Sequence, residues 1–187
     1  GSISNLSTKV AGRLEDASAR VRDGAVRAYA KIAGRRDATA IAAVAARMAD
    51  ASEDVRKAAL TAFAELVETA DAAAIETVAA RLEDTDGHVR LAAVNALQQI
   101  VGRGDANAIA AVASRLDHAA SGTRSAAVRA FARISAKGDA EAIATVAQRM
   151  EDQHMDVRRA AVNSLAHVVD KGNAVAIEQV ALRLKLS

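Results

Sequence analysis

Cysteine, proline and tryptophan are all missing from this 187-residue sequence, and aromatic residues make up only 2% of it. Without cysteine there is no disulfide framework, no cysteine zinc site and no thiol nucleophile. Without proline, and with alanine supplying about half of the apolar residues, helix is expected nearly everywhere. No apolar run approaches the roughly 18 residues of a membrane span, because an arginine or an acid interrupts every apolar stretch. Charge of one sign is also scarce in excess: 25 Lys+Arg against 23 Asp+Glu leaves +2, too balanced for a general nucleic-acid binder. Gly1 and Ser2 read as a cloning remnant, with no signal peptide after them. Together with the missing cysteine, that favours an intracellular protein. The length fits one domain, placed over residues 3–187, with enough chain to bury a core.

What is present is a repeat. Ile41, Ile75, Ile109, Ile143 and Ile177 recur every 34 residues, as do Val10, Val44, Val78, Val112, Val146 and Val180. Arg13, Arg47, Arg81, Arg115, Arg149 and Arg183 share the period. Later in the unit come Val21, Val55, Val89, Thr123 and Val157, each followed by arginine. Five units follow, over 7–40, 41–74, 75–108, 109–142 and 143–176, with a half-unit over 177–187.

Each unit reads as two helices. Ile41, Val44, Ala45 and Met48 fall at i, i+3, i+4 and i+7, one face of a short helix. Asp37 precedes it as an N-cap, and Asp71, Asp105, Asp139 and Asn173 repeat that role. The second helix, over about 53–68, carries Val55, Ala59, Ala62, Phe63 and Leu66 on its face, with Ser18, Ser52 and Asp86 at the N-cap slot. Gly104, Gly138 and Gly172 follow helix ends, where a left-handed residue is wanted. Such a unit cannot bury its apolar face alone, and stacking copies makes a continuous core. The expected fold is an all-α solenoid of five 34-residue helix–turn–helix units plus a C-terminal half-unit. Tyr29, Phe63 and Phe131 share one core slot with Leu97 and Leu165, and Met48 and Met150 stand in for leucine in another.

Tetratricopeptide repeats share the period, but their Trp, Leu-Gly, Tyr and terminal Pro pattern is absent. Instead the pattern is Leu/Met-x-Asp, a short turn, then Val-Arg: Leu14-Glu15-Asp16 before Val21-Arg22, Met48-Ala49-Asp50 before Val55-Arg56-Lys57-Ala58-Ala59, Leu82-Glu83-Asp84 before Val89-Arg90-Leu91-Ala92-Ala93, Met150-Glu151-Asp152 before Val157-Arg158-Arg159-Ala160-Ala161. This resembles HEAT repeats, in particular the short HEAT-like type of phycobilin lyases, over residues 7–187. Ala17, Ala51, Thr85, Ala119 and Gln153 stand where that family commonly has proline. The resemblance implies a right-handed superhelix with the second helices on the concave side. It also implies a ladder in which the turn aspartate bonds the arginine opening the second helix. Asp16, Asp50, Asp84 and Asp152 do lie six residues before Arg22, Arg56, Arg90 and Arg158. A charge repeated in every unit is scaffold chemistry before it is catalysis. The fourth unit departs, with His118 for aspartate, Thr123 for valine and Gly122 in the turn, and a looser ladder is expected there.

Chemistry finds little support. His88, His118, His154 and His167 share no i, i+3 or i+4 spacing, and none precedes a glutamate, so no metal site is expected and no cofactor. There is no Gly-x-Ser-x-Gly elbow and no phosphate loop. The reading is therefore non-enzymatic.

The second helices vary most at their solvent-facing positions, which are the candidate partner-binding residues. They are Arg27 and Lys31; Lys57; Leu91, Asn95 and Gln99; Arg129 and Arg133, with Ser125 on the same stripe; and Arg159, Asn163 and His167. Arg129, Arg133 and Arg159 make the C-terminal part basic and suit an acidic protein segment. Leu91 offers an apolar anchor point. Ala42, Ala43, Ala46, Thr77 and Ala80 make the opposite face bland. The reading is a protein-interaction scaffold that binds a peptide or protein segment. The alternatives are a solenoid gripping a nucleic-acid backbone and an engineered or fragmentary array without an evolved partner. Asp23, Glu65, Glu68 and Asp170 interrupt the basic stripe that DNA binding needs. Ile3, Leu6, Val10 and Leu14 make an apolar stripe on the first helix without a polar cap, and Leu182 and Leu186 near the end would point outward, which points to end-to-end self-association or a cut from a longer array.

Overall fold

The computed structural model describes residues 2–170 and residue 172. Asn173 and the half-unit 177–187, with Leu182 and Leu186, lie outside the described residues. Those described form ten α-helices and no strand: α1 (Ser2–Ala11), α2 (Ala19–Ile32), α3 (Ala38–Ala46), α4 (Glu53–Leu66), α5 (Ala72–Ala79), α6 (Gly87–Ile100), α7 (Ala106–Ala113), α8 (Ser121–Ile134), α9 (Ala140–Gln148) and α10 (Met155–Val168). The chain groups into two compact units, divided after Ile100.

Local chemistry sets the helix starts. Asp37, Asp71, Asp105 and Asp139 are extended residues whose carboxylates accept from the amides of Ala40, Ala74, Ala108 and Ala142, closing the first turns of α3, α5, α7 and α9. Ser18 and Ser52 hold the N-cap backbone position of α2 and α4, but neither hydroxyl makes a cap bond. Asp86 does, accepting from His88 and Val89. The short helices tighten into 3-10 turns over Arg47–Ala49, Ala80–Glu83 and Arg149–Glu151.

In the first unit α2 packs on α4 and α4 on α6, with α1, α3 and α5 each against the second helix of their own pair. In the second unit α8 packs on α10, and α7 and α9 back them in the same way. The second helices approach closely because each turns a methyl inward at one slot: Ala59, Ala93, Ala127 and Ala161 are fully buried. The large slot is filled by Tyr29, Phe63, Leu97 and Phe131, all buried. Met48 is core as well, whereas Met150 is only half-buried. Leu6 is exposed on α1, while Leu14 below it is buried.

Candidate functional site

Within each compact unit the repeated charges bind one repeat to the next. The Arg22 guanidinium donates through Nε and Nη2 to both oxygens of Asp50 at 2.8 and 2.7 Å, not to the Asp16 carboxylate six residues before it. Asp16 and Ala17 contribute their main-chain carbonyls to Nη1, at 2.8 and 3.1 Å. Arg56 grips Asp84 in the same way, and Arg124 grips Asp152. The expected pairing within a unit is thus corrected. Nη1 reads the arginine's own turn, and the two-pronged side of the fork takes the carboxylate 28 residues on. The same aspartates accept the amide two residues along, as Asp50 does from Ser52 at 2.9 Å. The Arg22 fork, with the Ser52 amide, holds the Asp50 carboxyl below its usual range against the opposing effect of burial. Arg124 and the His154 amide do the same for Asp152.

Arg90 and Arg158 read their own turns through Nη1, on the carbonyls of Asp84 and Thr85 and of Asp152 and Gln153. The fourth turn keeps its local bonds, although His118 offers no carboxylate to an arginine fork. His118 Nδ1 accepts the Ala120 amide at 3.1 Å, taking over the aspartate's local role. Thr123 and Arg124 are buried, and the Arg124 fork closes on Asp152 with both bonds at 2.8 Å.

Two further links run between repeats. Arg47, Arg81 and Arg149 donate to the carbonyls of Leu14, Met48 and Leu116, 33 residues earlier. The amides of Arg36, Ala70, Gly104 and Gly138 donate to Leu66, Ile100, Ile134 and Val168, the last residues of α4, α6, α8 and α10. All four donors sit in left-handed backbone, with φ of 67°, 61°, 84° and 77°. Each link satisfies carbonyls that a helix end leaves open. The 34-residue alignment showed the arginines and glycines but not what they touch.

The candidate binding residues all have at least partial access to solvent. On the first unit Arg27, Lys31, Asn95 and Gln99 are exposed, and so is Leu91. Arg27 pairs with Asp23 at 3.0 Å and Lys57 with Asp54 at 2.7 Å, so this surface is close to neutral. A small cleft of about 110 Å³ lies between α2 and α4, lined by Arg27, Lys31, Thr61 and Glu65. On the second unit Arg159 and Asn163 are exposed, while Arg129, Arg133 and His167 are half-buried. Arg159 pairs with Asp156 at 2.7 Å. Helix α8 contains no acidic residue. Ser125, expected on the solvent stripe, is instead buried with its hydroxyl unpartnered, and the buried Nδ1 of His167 is also without a partner.

The face opposite is not bland throughout. Between α3 and α5 lies a cleft of about 500 Å³ lined by Ile41, Ala42, Ala45 and Thr77 and floored by Phe63 and Val67, with the Arg36–Glu68 ion pair at its mouth. Alanine at facing positions leaves the gap, and only the packing shows it. Among the described residues no group of His, Cys, Asp or Glu is arranged to hold a metal, and no helix is long and apolar enough to cross a membrane.

Comparison with known proteins agrees with this geometry. The family model for HEAT repeats matches residues 41–132, and the model for the HEAT repeat associated with sister chromatid cohesion matches residues 4–26. The comparison with curated proteins gives no match. Among solved structures the chain is similar to an engineered protein at 22% identity, with a TM-score of 0.55 over 96% of this chain and 87% of that one. It is also similar to a designed armadillo repeat protein in complex with the peptide (KR)4, at 21% identity and a TM-score of 0.52 over 89% and 85%. These likenesses concern the fold: all-α, of the repeat-solenoid class.

Proposed function

Because the chain is a HEAT-like repeat protein, we propose that it works as a non-enzymatic scaffold whose second-helix face binds a protein segment, and that the segment is acidic where it meets α8 and α10. The carrying observation is the charge of that surface. Helix α8 has no acid, and it presents Arg129 and Arg133 one turn apart, beside Arg159 and His167 on α10. One of the designed armadillo proteins of similar fold is seen with the basic peptide (KR)4. A basic face here calls for the opposite charge. On the first unit, Leu91 with its polar neighbours Asn95 and Gln99 supports an apolar anchor point for a protein segment. A second copy of the chain is a further partner, and Leu6, exposed on α1, supports it.

The test is fluorescence anisotropy with a labelled poly-glutamate peptide and, in parallel, a random DNA duplex. Peptide binding that weakens with salt and is lost in Arg129→Glu/Arg133→Glu supports the reading. Tight binding of the duplex, falling steeply with salt, replaces it with a nucleic-acid function.

A further inference from the structure

The cleft between α3 and α5 is apolar along its length and charged at one end. Its floor is Phe63 and Val67, both buried, and its walls are Ile41 and the small side chains of Ala42, Ala45 and Ala73. Thr77 lines it too, but its hydroxyl donates to the Ala73 carbonyl at 2.7 Å, so that donor is already taken. Helix α3 packs on α4 and α5 on α6, and the alanines leave the space between the two outer helices unfilled. At about 500 Å³ the cleft has the size of a small-molecule site, roughly 300–1,000 Å³.

Where the cleft opens, Arg36 and Glu68 form an exposed ion pair. The same two residues line an adjoining hollow of about 520 Å³ together with Arg35 and Thr69. In later repeats the places of Arg36 and Glu68 hold Ala70 and Gly102, then Gly104 and Ala136, then Gly138 and Asp170, and none of these pairs can be ionic. Arg35 is the cation with capacity to spare. Its counterpart Arg103 donates to two carbonyls, of Ser135 at 2.9 Å and His167 at 3.0 Å. Arg35 reaches only the Val67 carbonyl, at 3.3 Å, and no carboxylate among the described residues pairs with it. The acids nearby are already matched: Glu68 lies on Arg36, and Asp71 accepts the Ala74 amide as the N-cap of α5. An apolar trough thus ends beside an unmatched guanidinium.

We propose that the α3–α5 cleft binds a single-chain amphipathic carboxylate, a medium-chain fatty-acid anion. Its alkyl chain lies over Phe63 and Val67 between the alanine walls, and its carboxylate meets Arg35 and Arg36 at the mouth. Removing the chain from water supplies the attraction, and a planar guanidinium matches the carboxylate head. Glu68 is the rival for Arg36 and repels the same head, so it sets the affinity from the opposite side. The inference is independent of the acidic-segment reading, because every residue it uses belongs to the first unit and none to α8 or α10.

The full chain is titrated with decanoate, decanol and decyltrimethylammonium, followed by calorimetry and by amide NMR shifts. Decanoate should bind once per chain, with the shifts confined to residues 36–45 and 63–77. It should bind about fivefold tighter than decanol, the scale of one exposed charge pair, and decyltrimethylammonium should bind more weakly than either. Arg35→Gln should remove the preference for decanoate over decanol. Glu68→Gln should tighten decanoate about threefold and leave decanol unchanged. Ala42→Phe, at an exposed position, obstructs the cleft and should abolish binding of both without lowering the melting temperature, which shows that the variant is folded. Decanoate that fails to saturate below its micelle concentration overturns the proposal, as do shifts spread over the whole chain. Binding that survives Ala42→Phe, or a preference for the carboxylate that survives Arg35→Gln, overturns it equally.

Discussion

Ala70 and Arg36 occupy left-handed backbone that the corresponding later turns give to Gly104, Gly138 and Gly172. A Cβ there costs about 1–2 kcal/mol. Part of the gain from a glycine is returned as extra freedom in the unfolded chain. Ala70→Gly should therefore stabilise by about 1 kcal/mol, read as a higher urea midpoint. Gly104→Ala should cost about as much, because the added Cβ meets only Ala136 at 3.9 Å and the strain is confined to the backbone. Titration acts at the same scale. The carboxyls of Asp50 and Asp152 are held below their ordinary value by arginine. Their contribution is complete above the unfolded value of about 3.9 and is lost as pH falls through the lower folded value. Melting temperature should be flat in this respect above about pH 5 and fall below about pH 4. The fall should be shallower in Asp50→Asn/Asp152→Asn.

At the scale of the elements, stacking rests on second helices joined by a fork at one end and a backbone bond at the other. Asp152→Ala leaves Arg124, buried on α8, without its carboxylate. Losing a hydrogen bond to a charged group costs about 1.5–3 kcal/mol, so a loss of about 2 kcal/mol is expected here. Hydrogen exchange should quicken in 121–134 and 155–168 more than in α2 and α4. In the unaltered protein the turn over 117–124 should exchange faster than that over 50–56. His118 accepts the Ala120 amide but has no carboxylate, whereas Asp50 accepts the Ser52 amide and both prongs of the Arg22 fork.

Across the whole molecule, one substitution in one repeat slot should have a cost set by its place along the chain. Val128 is fully buried and Val162 about half exposed. Val128→Ala should cost about 2 kcal/mol, as large-to-small core changes do. Val162→Ala should cost less than about 0.5 kcal/mol in the isolated chain, the usual range for surface changes. Denaturant unfolding of the two variants in dilute solution checks the difference.

The 34-residue period, the helix pairs, the aspartate caps, the left-handed glycines and the large core slot filled by Tyr29, Phe63 and Phe131 are all written in the sequence, because each depends on residues within a few positions of one another. The solvent-facing stripe of the second helices was legible in outline, as the exposed Arg27, Lys31, Asn95 and Gln99 show. Ser125 was misplaced, since helical spacing fixes an angle around the helix and not what packs there. Which aspartate an arginine grips is a different matter. Six residues before Arg22 and 28 after it are the same slot of a 34-residue period, so the pattern holds the same residue at both places. Only the distance between helices selects Asp50. The α3–α5 cleft is decided in the same way, by where stacked elements part, which no local pattern encodes.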